Sequence, residues 1–158
     1  MIVKMRIDDR LLHGQVAYSW KSALSYEAIV IANDSAANDN MRKTAIKLSC
    51  PAGVHLAVRT VKEAAELLKN VKLKNMKVFV ICANPKDAYS LLNLIEERPT
   101  LNLGGMQKNE GKEAFSPAVF VSKEDIEYLD KILEMNVNIE VRQVPSETAK
   151  DYKALRKK

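Results

Sequence analysis

Cysteine is scarce in this chain of 158 residues, which contains only two. Cys50 stands beside a proline, and Cys82 stands inside an apolar run. There is no CxxC spacing, and no cluster of histidines lies near either cysteine. This pattern argues against a disulfide framework and against a cysteine-based metal site. We therefore expect both cysteines to be reduced residues in or near the core, and we expect no metal.

Long apolar runs are also lacking. The longest, at 28–32 and 78–83, are far shorter than the roughly 20 residues that a transmembrane helix needs. The N-terminal residues 1–6 lead straight into a charged loop, without the basic start, apolar middle and small-residue cleavage site of a signal peptide. These features predict a cytoplasmic protein with no membrane span.

Aromatic residues are few: five tyrosines, three phenylalanines and one tryptophan. The net charge of +5 admits an alternative function, a basic α/β module that binds nucleic acid or another anion without catalysis. That alternative lacks an aromatic platform and an arginine-rich helix. Much of the positive charge lies in a polar tail that begins at about residue 146 and contains Lys150, Lys153, Arg156, Lys157 and Lys158. Such a tail is more often solvated than functional, so we expect no nucleic-acid partner.

Short apolar runs alternate with longer amphipathic ones along the whole chain. The spacing of the apolar residues, together with the turn and capping residues between segments, predicts strands at 2–7, 28–32, 54–58, 77–82, 101–103, 119–121 and 138–144. They predict helices at 14–24, 38–48, 60–68, 85–97 and 122–135, two of them opening with capping-box patterns at Thr60 and Ser122. This alternation indicates one α/β domain over 1–158, with three α/β/α layers and a mostly parallel central sheet of about six to seven strands.

Ligands of such sheets bind in the crevice outside the carboxyl ends of the strands. That rule directs attention to the loops at 8–15, 33–38, 84–86 and 104–108. Residues Asp34 and Ser35 in the second loop, and Gly105 and Met106 in the fourth, are therefore candidates for the rim of a site.

The first of these loops carries the residues best suited to phosphate chemistry. A neutral imidazole offers a nucleophilic nitrogen at neutral pH, and His13 is followed by Gly14 at the predicted start of a helix, where backbone N–H groups attract anions. Arg10, three residues earlier, supplies a guanidinium that matches phosphate oxygens. Either Asp8 or Asp9 could orient one ring nitrogen, and the sequence leaves that choice open.

Other interpretations compete with this one. A lone histidine after a strand is usually a capping or packing residue, and we expect His55, in an apolar run, to be structural. The tract 102–106 is glycine-containing but lacks the spacing of a phosphate-binding loop, and a turn explains its glycines equally well. A hydrolase with a histidine nucleophile is a further alternative, in which a phosphoenzyme would form and then break down in water.

The loop 6–16, with the sequence RIDDRLLHGQV, closely resembles the active-site signature of a known family. The family comprises the IIB components of the mannose, fructose and sorbose branch of the bacterial phosphoenolpyruvate-dependent sugar phosphotransferase system (PTS). The resemblance continues through IAND at 31–34, AND at 37–39, PAGV at 51–54, NP at 84–85, NLGGM at 102–106 and VRQVP at 141–145. Leu12 stands where many relatives have isoleucine.

The resemblance implies a phosphotransferase that needs no cofactor. The histidine at position 13 would accept a phosphoryl group on Nδ1 from a phosphohistidine of the IIA component. It would then give that group to a sugar, such as mannose, fructose, sorbose or an amino sugar, entering through the membrane IIC and IID components. Arg10 and loop amides would stabilise the phosphoryl oxygens, and Asp9 would shape the loop. Leu11, Gly14 and Gln15 complete the expected phosphate-binding rim, and the protein would associate peripherally with its membrane components.

Overall fold

The computed structural model describes residues 1–156; Lys157 and Lys158 of the predicted basic tail lie outside the described residues. The strands are β1 Ile2–Asp8, β2 Ala28–Ala32, β3 His55–Arg59, β4 Val78–Cys82, β5 Leu101–Gly105, β6 Glu113–Ser116, β7 Val119–Val121, β8 Ile139–Val141 and β9 Lys150–Asp151. The helices are α1 Gly14–Leu24, α2 Asp34–Ala37, α3 Asn40–Leu48, α4 Val61–Leu68, α5 Val71–Lys74, α6 Pro85–Leu92, α7 Lys123–Glu134 and α8 Tyr152–Arg156.

Seven strands form the central sheet in the order β3-β2-β4-β1-β5-β8-β9. Every neighbouring pair is parallel except β8 and β9, which are antiparallel. Apolar residues fill β2 and β4 without interruption and every one is buried, as expected of inner strands covered on both faces. The predicted three-layer fold with a mostly parallel sheet is confirmed.

A hydrophobic core lies on each face of the sheet. Helices α4, α6 and α7 pack on one face, and helices α1, α2 and α3 pack on the other. The second core contains the single tryptophan, Trp20, whose ring lies 6.2 Å from that of Phe79. No helix among residues 1–156 is both long enough and apolar enough to cross a membrane.

Both predicted capping boxes are present. The Thr60 hydroxyl accepts the Glu63 N–H, and the Glu63 carboxylate accepts the Thr60 N–H, at 3.1 Å each. Ser122 and Asp125 make the same reciprocal pair at the start of α7. These local bonds satisfy donors that a helix N-terminus leaves free, which is why the sequence pattern located both helix starts well.

Two predicted helices have different bounds in the structure. The helix expected over 38–48 is preceded by the one-turn α2, because Asn33 caps α2 and Asp39 caps α3 as separate starts. The helix expected over 85–97 ends at Leu92. Beyond it, the Arg98 guanidinium donates to the carbonyl oxygens of Leu92 and Glu97, so a side chain replaces the further turn of helix.

The strand predicted at 119–121 exists but lies outside the central sheet. As β7 it pairs with β6 in a separate two-stranded hairpin, which follows β5 and leads into α7. The seventh strand of the central sheet is instead β9, in the region predicted as a polar tail. Strand β9 pairs with β8, and α8 follows it directly.

Tyr152 anchors this C-terminal segment. Its side chain is fully buried, its ring lies 5.6 Å from that of Phe115, and its hydroxyl donates to Asp130 at 3.2 Å. We expect Tyr152→Ala to lower the free energy of unfolding by about 3–5 kcal/mol, because a buried aromatic side chain is removed. Urea unfolding measures this. The exposed neighbour provides the control, since Lys153→Ala should change the same quantity by less than about 0.5 kcal/mol, and equal losses in the two variants would contradict the assignment.

Candidate functional site

The site lies where strands β1 and β5 end side by side. The backbone N–H of Asp9 donates to the carbonyl of Gly105 at 2.9 Å, which ties the two strand ends together. Strand β1 leads into α1 on one face of the sheet, whereas β5 leads through the hairpin to α7 on the other face. Adjacent chains that diverge to opposite faces leave a crevice between them, which is where such sheets bind ligands.

His13 stands at the mouth of this crevice as the N-cap residue of α1, in extended conformation. The loop before it turns sharply, because the Leu11 N–H donates to the Asp8 carbonyl at 2.8 Å and Leu11 has a positive φ of 60°. The Leu11 side chain is fully buried, and this anchor in the core offsets the strain of a left-handed leucine. The predicted start of α1 at Gly14 is confirmed, so the first N–H groups of the helix adjoin His13.

Two charged residues define the chemical state of the His13 ring. Its Nε2 lies 2.9 Å from Oδ2 of Asp8, and its Nδ1 lies 2.7 Å from Nη2 of Arg10. Nη2 also lies 3.3 Å from Nε2, but a guanidinium only donates, and the shorter contact therefore assigns the acceptor lone pair to Nδ1. The proton of the neutral ring is then on Nε2, donated to Asp8. The sequence left open whether Asp8 or Asp9 orients the ring. In the structure the hydrogen bond from Nε2 is accepted by Asp8.

Asp8 is buried beneath the histidine, with 2% of its side chain exposed. Besides His13, it accepts hydrogen bonds from Arg6 Nη2 at 2.9 Å and from the Arg10 N–H at 3.0 Å. Burial disfavours the charged carboxylate, but the hydrogen bond from His13 and the charge of Arg6 outweigh burial. The pKa of Asp8 is therefore lowered from its ordinary value, and the carboxylate is ionised at neutral pH.

The side chain of Asp9 makes a different contact from that of Asp8. Its carboxylate accepts the backbone N–H of Gln107 at 2.7 Å, so it joins the loop after β1 to the loop after β5. It lines the same cavity as His13 but makes no hydrogen bond with that ring within the described residues.

An open cavity of about 480 Å³ surrounds these groups. Of the residues predicted for the site, the cavity brings together Asp9, Arg10, His13, Gly105 and Met106. A larger recess of about 640 Å³ at the opposite end of the sheet is lined by residues such as Met1, Leu94 and Glu97, and by no histidine. We therefore assign the candidate site to the cavity at His13 because of its lining residues and not because of its volume.

The remaining predicted residues lie elsewhere. Leu11 belongs to the core rather than to the rim, and the exposed Gly14 and Gln15 are absent from the cavity lining. Asp34 and Ser35 lie in α2 and are also absent from it. Asp34 instead accepts the Val61 N–H at 2.9 Å, which helps to begin α4, so proximity to a strand end did not place these side chains at the site.

One wall of the cavity consists of residues that were not among the site residues predicted from the sequence. This wall is formed by residues of the hairpin, of the loop before it and of the segment that follows β8: Gln107, Lys108, Pro117, Ala118, Phe120 and Gln143. Two signals were available. Positions 107 and 108 lie inside one of the four predicted crevice loops, and position 143 lies inside the VRQVP motif of the resemblance. Neither signal indicates by itself that Gln143, about 130 positions after His13 in the chain, lines the same cavity.

Other titratable side chains stand apart from this cavity. His55 is exposed at the start of β3 and does not line the cavity. Cys82 is buried and Cys50 is half-buried, and both are free thiols, as predicted. Within residues 1–156 no group of three or more metal-binding side chains is assembled.

Two carboxylates whose pKa values are lowered, the buried Asp8 and the partly buried Glu140, predict how stability depends on pH. Burial opposes the charge of Glu140, but hydrogen bonds from Lys4 and Arg142 outweigh it, and its pKa, like that of Asp8, is lowered by folding. Such groups stabilise the fold above their unfolded pKa values, and this stabilisation is lost as the pH falls through the folded values. We expect the free energy of unfolding to decrease below about pH 4.

Urea unfolding over a series of acidic pH values measures this decrease. In Glu140→Gln the group that titrates is removed, and we expect a shallower decrease than in the unaltered protein. An acid dependence identical in both proteins would show that Glu140 does not contribute.

The fold and the site define a class of protein: an α/β domain with a histidine held between a carboxylate and a guanidinium at the switch point of a mostly parallel sheet. The profile described as "PTS system sorbose subfamily IIB component" matches residues 2–158. The chain is 31% identical over 154 residues to the sorbose-specific EIIB component of Lacticaseibacillus casei, covering 98% of this chain and 94% of the relative. It is 30% identical over 151 residues to the fructose-specific EIIB component of Bacillus subtilis, covering 96% and 93%.

A solved structure agrees with these relatives. The IIBSor domain of the sorbose permease from Klebsiella pneumoniae superposes with a TM-score of 0.93 at 29% identity, covering 99% of this chain and 96% of that one. This chain belongs to the sorbose-subfamily IIB components of the PTS, and it is a sugar phosphotransferase component of that system.

Proposed function

We propose that this protein is a phosphorelay intermediate in which His13 is the residue that carries the phosphoryl group. The observation that supports this most directly is the state of the ring. Asp8 holds Nε2, and Nδ1 keeps its lone pair at the mouth of an open cavity. In the first step Nδ1 attacks the phosphorus of a phosphohistidine on the IIA component. The new N–P bond forms as the N–P bond of the donor breaks.

Each neighbour of His13 has a role in that step. Phosphorylation at Nδ1 gives the ring a positive charge while Nε2 keeps its proton, and the carboxylate of Asp8 stabilises that charge. Arg10 Nη2 is close to the position that the phosphoryl oxygens will occupy, where it neutralises them. The N-terminus of α1 adds N–H donors and a positive dipole end. Phosphoryl transfer depends on such positioning and charge neutralisation more than on covalent help.

In the second step a sugar hydroxyl attacks the phosphorus. An O–P bond forms, the N–P bond breaks, the hydroxyl proton is released, and neutral His13 returns. The acceptor is a sugar presented by membrane IIC and IID components, with which this chain associates peripherally from the cytoplasm. The open cavity supports this proposal, since donor and acceptor must reach the same nitrogen in turn.

Mass spectrometry under non-acidic conditions tests the relay. The protein is incubated with phosphoenolpyruvate and the upstream relay proteins, including IIA, and its intact mass and peptides are measured. We expect one acid-labile phosphate on the peptide that contains His13. Absence of phosphate while IIA is shown to be charged would overturn the proposal. Rapid loss of the phosphate to water without a sugar acceptor would instead identify a hydrolase.

A further inference from the structure

Arg6 is a buried charge that the relay steps above do not use. It lies on β1, in the strand that leads to the His13 loop, and only 1% of it is exposed. A fully buried guanidinium is costly unless its surroundings satisfy it. The contacts of the Arg6 guanidinium therefore indicate the role of this side chain.

Three hydrogen bonds fix the orientation of the guanidinium. Nη1 donates to Oδ1 of Asn102 at 2.8 Å and to the Gln143 carbonyl at 2.9 Å, and Nη2 donates to Oδ2 of Asp8 at 2.9 Å. The group also lies over the ring of Trp20, with its Cζ atom 5.7 Å from the ring centroid. The partners come from the end of β1, from β5 and from the segment that follows β8, so three separate segments hold the guanidinium.

The backbone is shaped to admit this side chain. A Cβ atom at Gly104 would lie 2.0 Å from Cζ of Arg6, and a Cβ atom at Gly105 would lie 3.0 Å from Oδ1 of Asp8. Glycine at 104 is therefore required by the close approach of the guanidinium, and the adjacent glycine makes room for the carboxylate. The Nε atom of Arg6 has no hydrogen-bond partner within the described residues, so the two Nη atoms alone direct the group.

One oxygen joins Arg6 to the histidine. Oδ2 of Asp8 accepts from Arg6 Nη2 and from His13 Nε2, both at 2.9 Å. The other oxygen, Oδ1, accepts the Arg10 N–H. The carboxylate cannot rotate without giving up the bond to Arg6, and the imidazole ring takes its orientation from that carboxylate.

We propose that Arg6 is a positioning residue that, through Asp8, keeps the His13 proton on Nε2 and the lone pair on Nδ1. This inference rests on the proposed function, because it names what sets the reactive nitrogen of the relay. Arg6 is too deeply buried to meet a partner protein or a sugar. Its loss should therefore slow the chemical step without weakening the binding of phosphorylated IIA.

Three variants separate positioning from simple charge balance. Arg6→Lys keeps a positive charge but lacks the planar fork that reaches Asn102, Gln143 and Asp8 together. Arg6→Gln removes the charge as well. Arg142→Gln is the matched control, because Arg142 lies over the same Trp20 ring at 5.3 Å and bonds Glu140, but makes no contact with Asp8. A cooperative urea unfolding transition followed by far-ultraviolet circular dichroism reports that each variant is folded.

Nitrogen-15 NMR of the His13 ring is the deciding measurement. We expect the unaltered protein and Arg142→Gln to show the Nε2–H tautomer alone, and both Arg6 variants to show a mixture. We also expect kcat for transfer from phosphorylated IIA to fall about 10- to 100-fold in Arg6→Lys, with an unchanged KM, because the nucleophile is misplaced. If Arg6→Gln does not fold, Arg6→Lys decides.

A folded Arg6→Lys protein with the Nε2–H tautomer alone would overturn the inference and leave Arg6 a structural residue. The proposed function fails differently, by absence of phosphate on the unaltered protein. The tautomer measurement needs no phosphate donor, so each result is read independently of the other.

Discussion

We expect His13→Ala to abolish phosphate incorporation from phosphorylated IIA and to abolish sugar phosphorylation. No other described side chain offers an imidazole nitrogen beside both a guanidinium and a helix N-terminus. The fold should survive, because Arg6 and the Arg10 N–H still hold Asp8 when the ring is removed. The free energy of unfolding should fall by less than about 3 kcal/mol, the upper end of the contribution of a hydrogen bond to a charged group.

The chain supplies its own control for this experiment. The second histidine, His55, is exposed at the start of β3, at the opposite end of the strands from the cavity. Its replacement by alanine should leave one acid-labile phosphate on the protein, as measured by intact mass. Retained phosphate in a folded His13→Ala protein would place the phosphoryl group on another residue and refute the relay as proposed.

The second large effect is expected from Arg10→Ala. Removing the guanidinium takes away the donor nearest to the transferring phosphoryl group, and loss of one such donor costs about 100- to 1,000-fold in rate. The hydrogen bond from Arg10 to Asp8 is made by the backbone N–H and persists in the variant. Because the side chain is exposed, we expect little change in the urea unfolding midpoint.

Single-turnover transfer from phosphorylated IIA measures the effect. Arg42→Ala is the matched control, since it removes the same charge from a side chain that reaches the loop only at the Asp9 carbonyl, 3.5 Å away. We expect transfer by this control to be nearly unchanged. If both variants were slowed equally, the effect would belong to the general charge of the surface and not to Arg10.

The two predictions describe one device. In the proposed relay, Asp8 presents Nδ1 by holding Nε2, and Arg10 lies close to the position that the phosphoryl oxygens will take. The carboxylate is held by the buried guanidinium of Arg6, whereas the phosphoryl group would be met by the exposed guanidinium of Arg10. Because phosphate on an imidazole nitrogen remains a good leaving group, the same arrangement would serve both acceptance and release in the proposed relay.

The alternation of apolar runs and capped helices was legible in the sequence because each signal is local. A buried strand such as β2 is recognised from five consecutive residues, and the capping boxes at Thr60 and Ser122 each span only four. Local signals failed where a side chain replaced a helical turn, as at Arg98. They also failed at the C-terminal segment, which was predicted to be a polar tail because its one buried anchor, Tyr152, stands among polar residues.

The sequence by itself determined the fold class, the order of the main elements and the loop that carries His13, because periodicity and turn chemistry operate over short distances along the chain. Only the tertiary structure decided that Asp8, and not Asp9, holds the ring. It also placed Arg6 against Asn102, 96 residues away, and turned the hairpin toward the cavity. These choices depend on the register between β1, β5 and β8, and register is fixed by packing of the whole sheet rather than by any one segment.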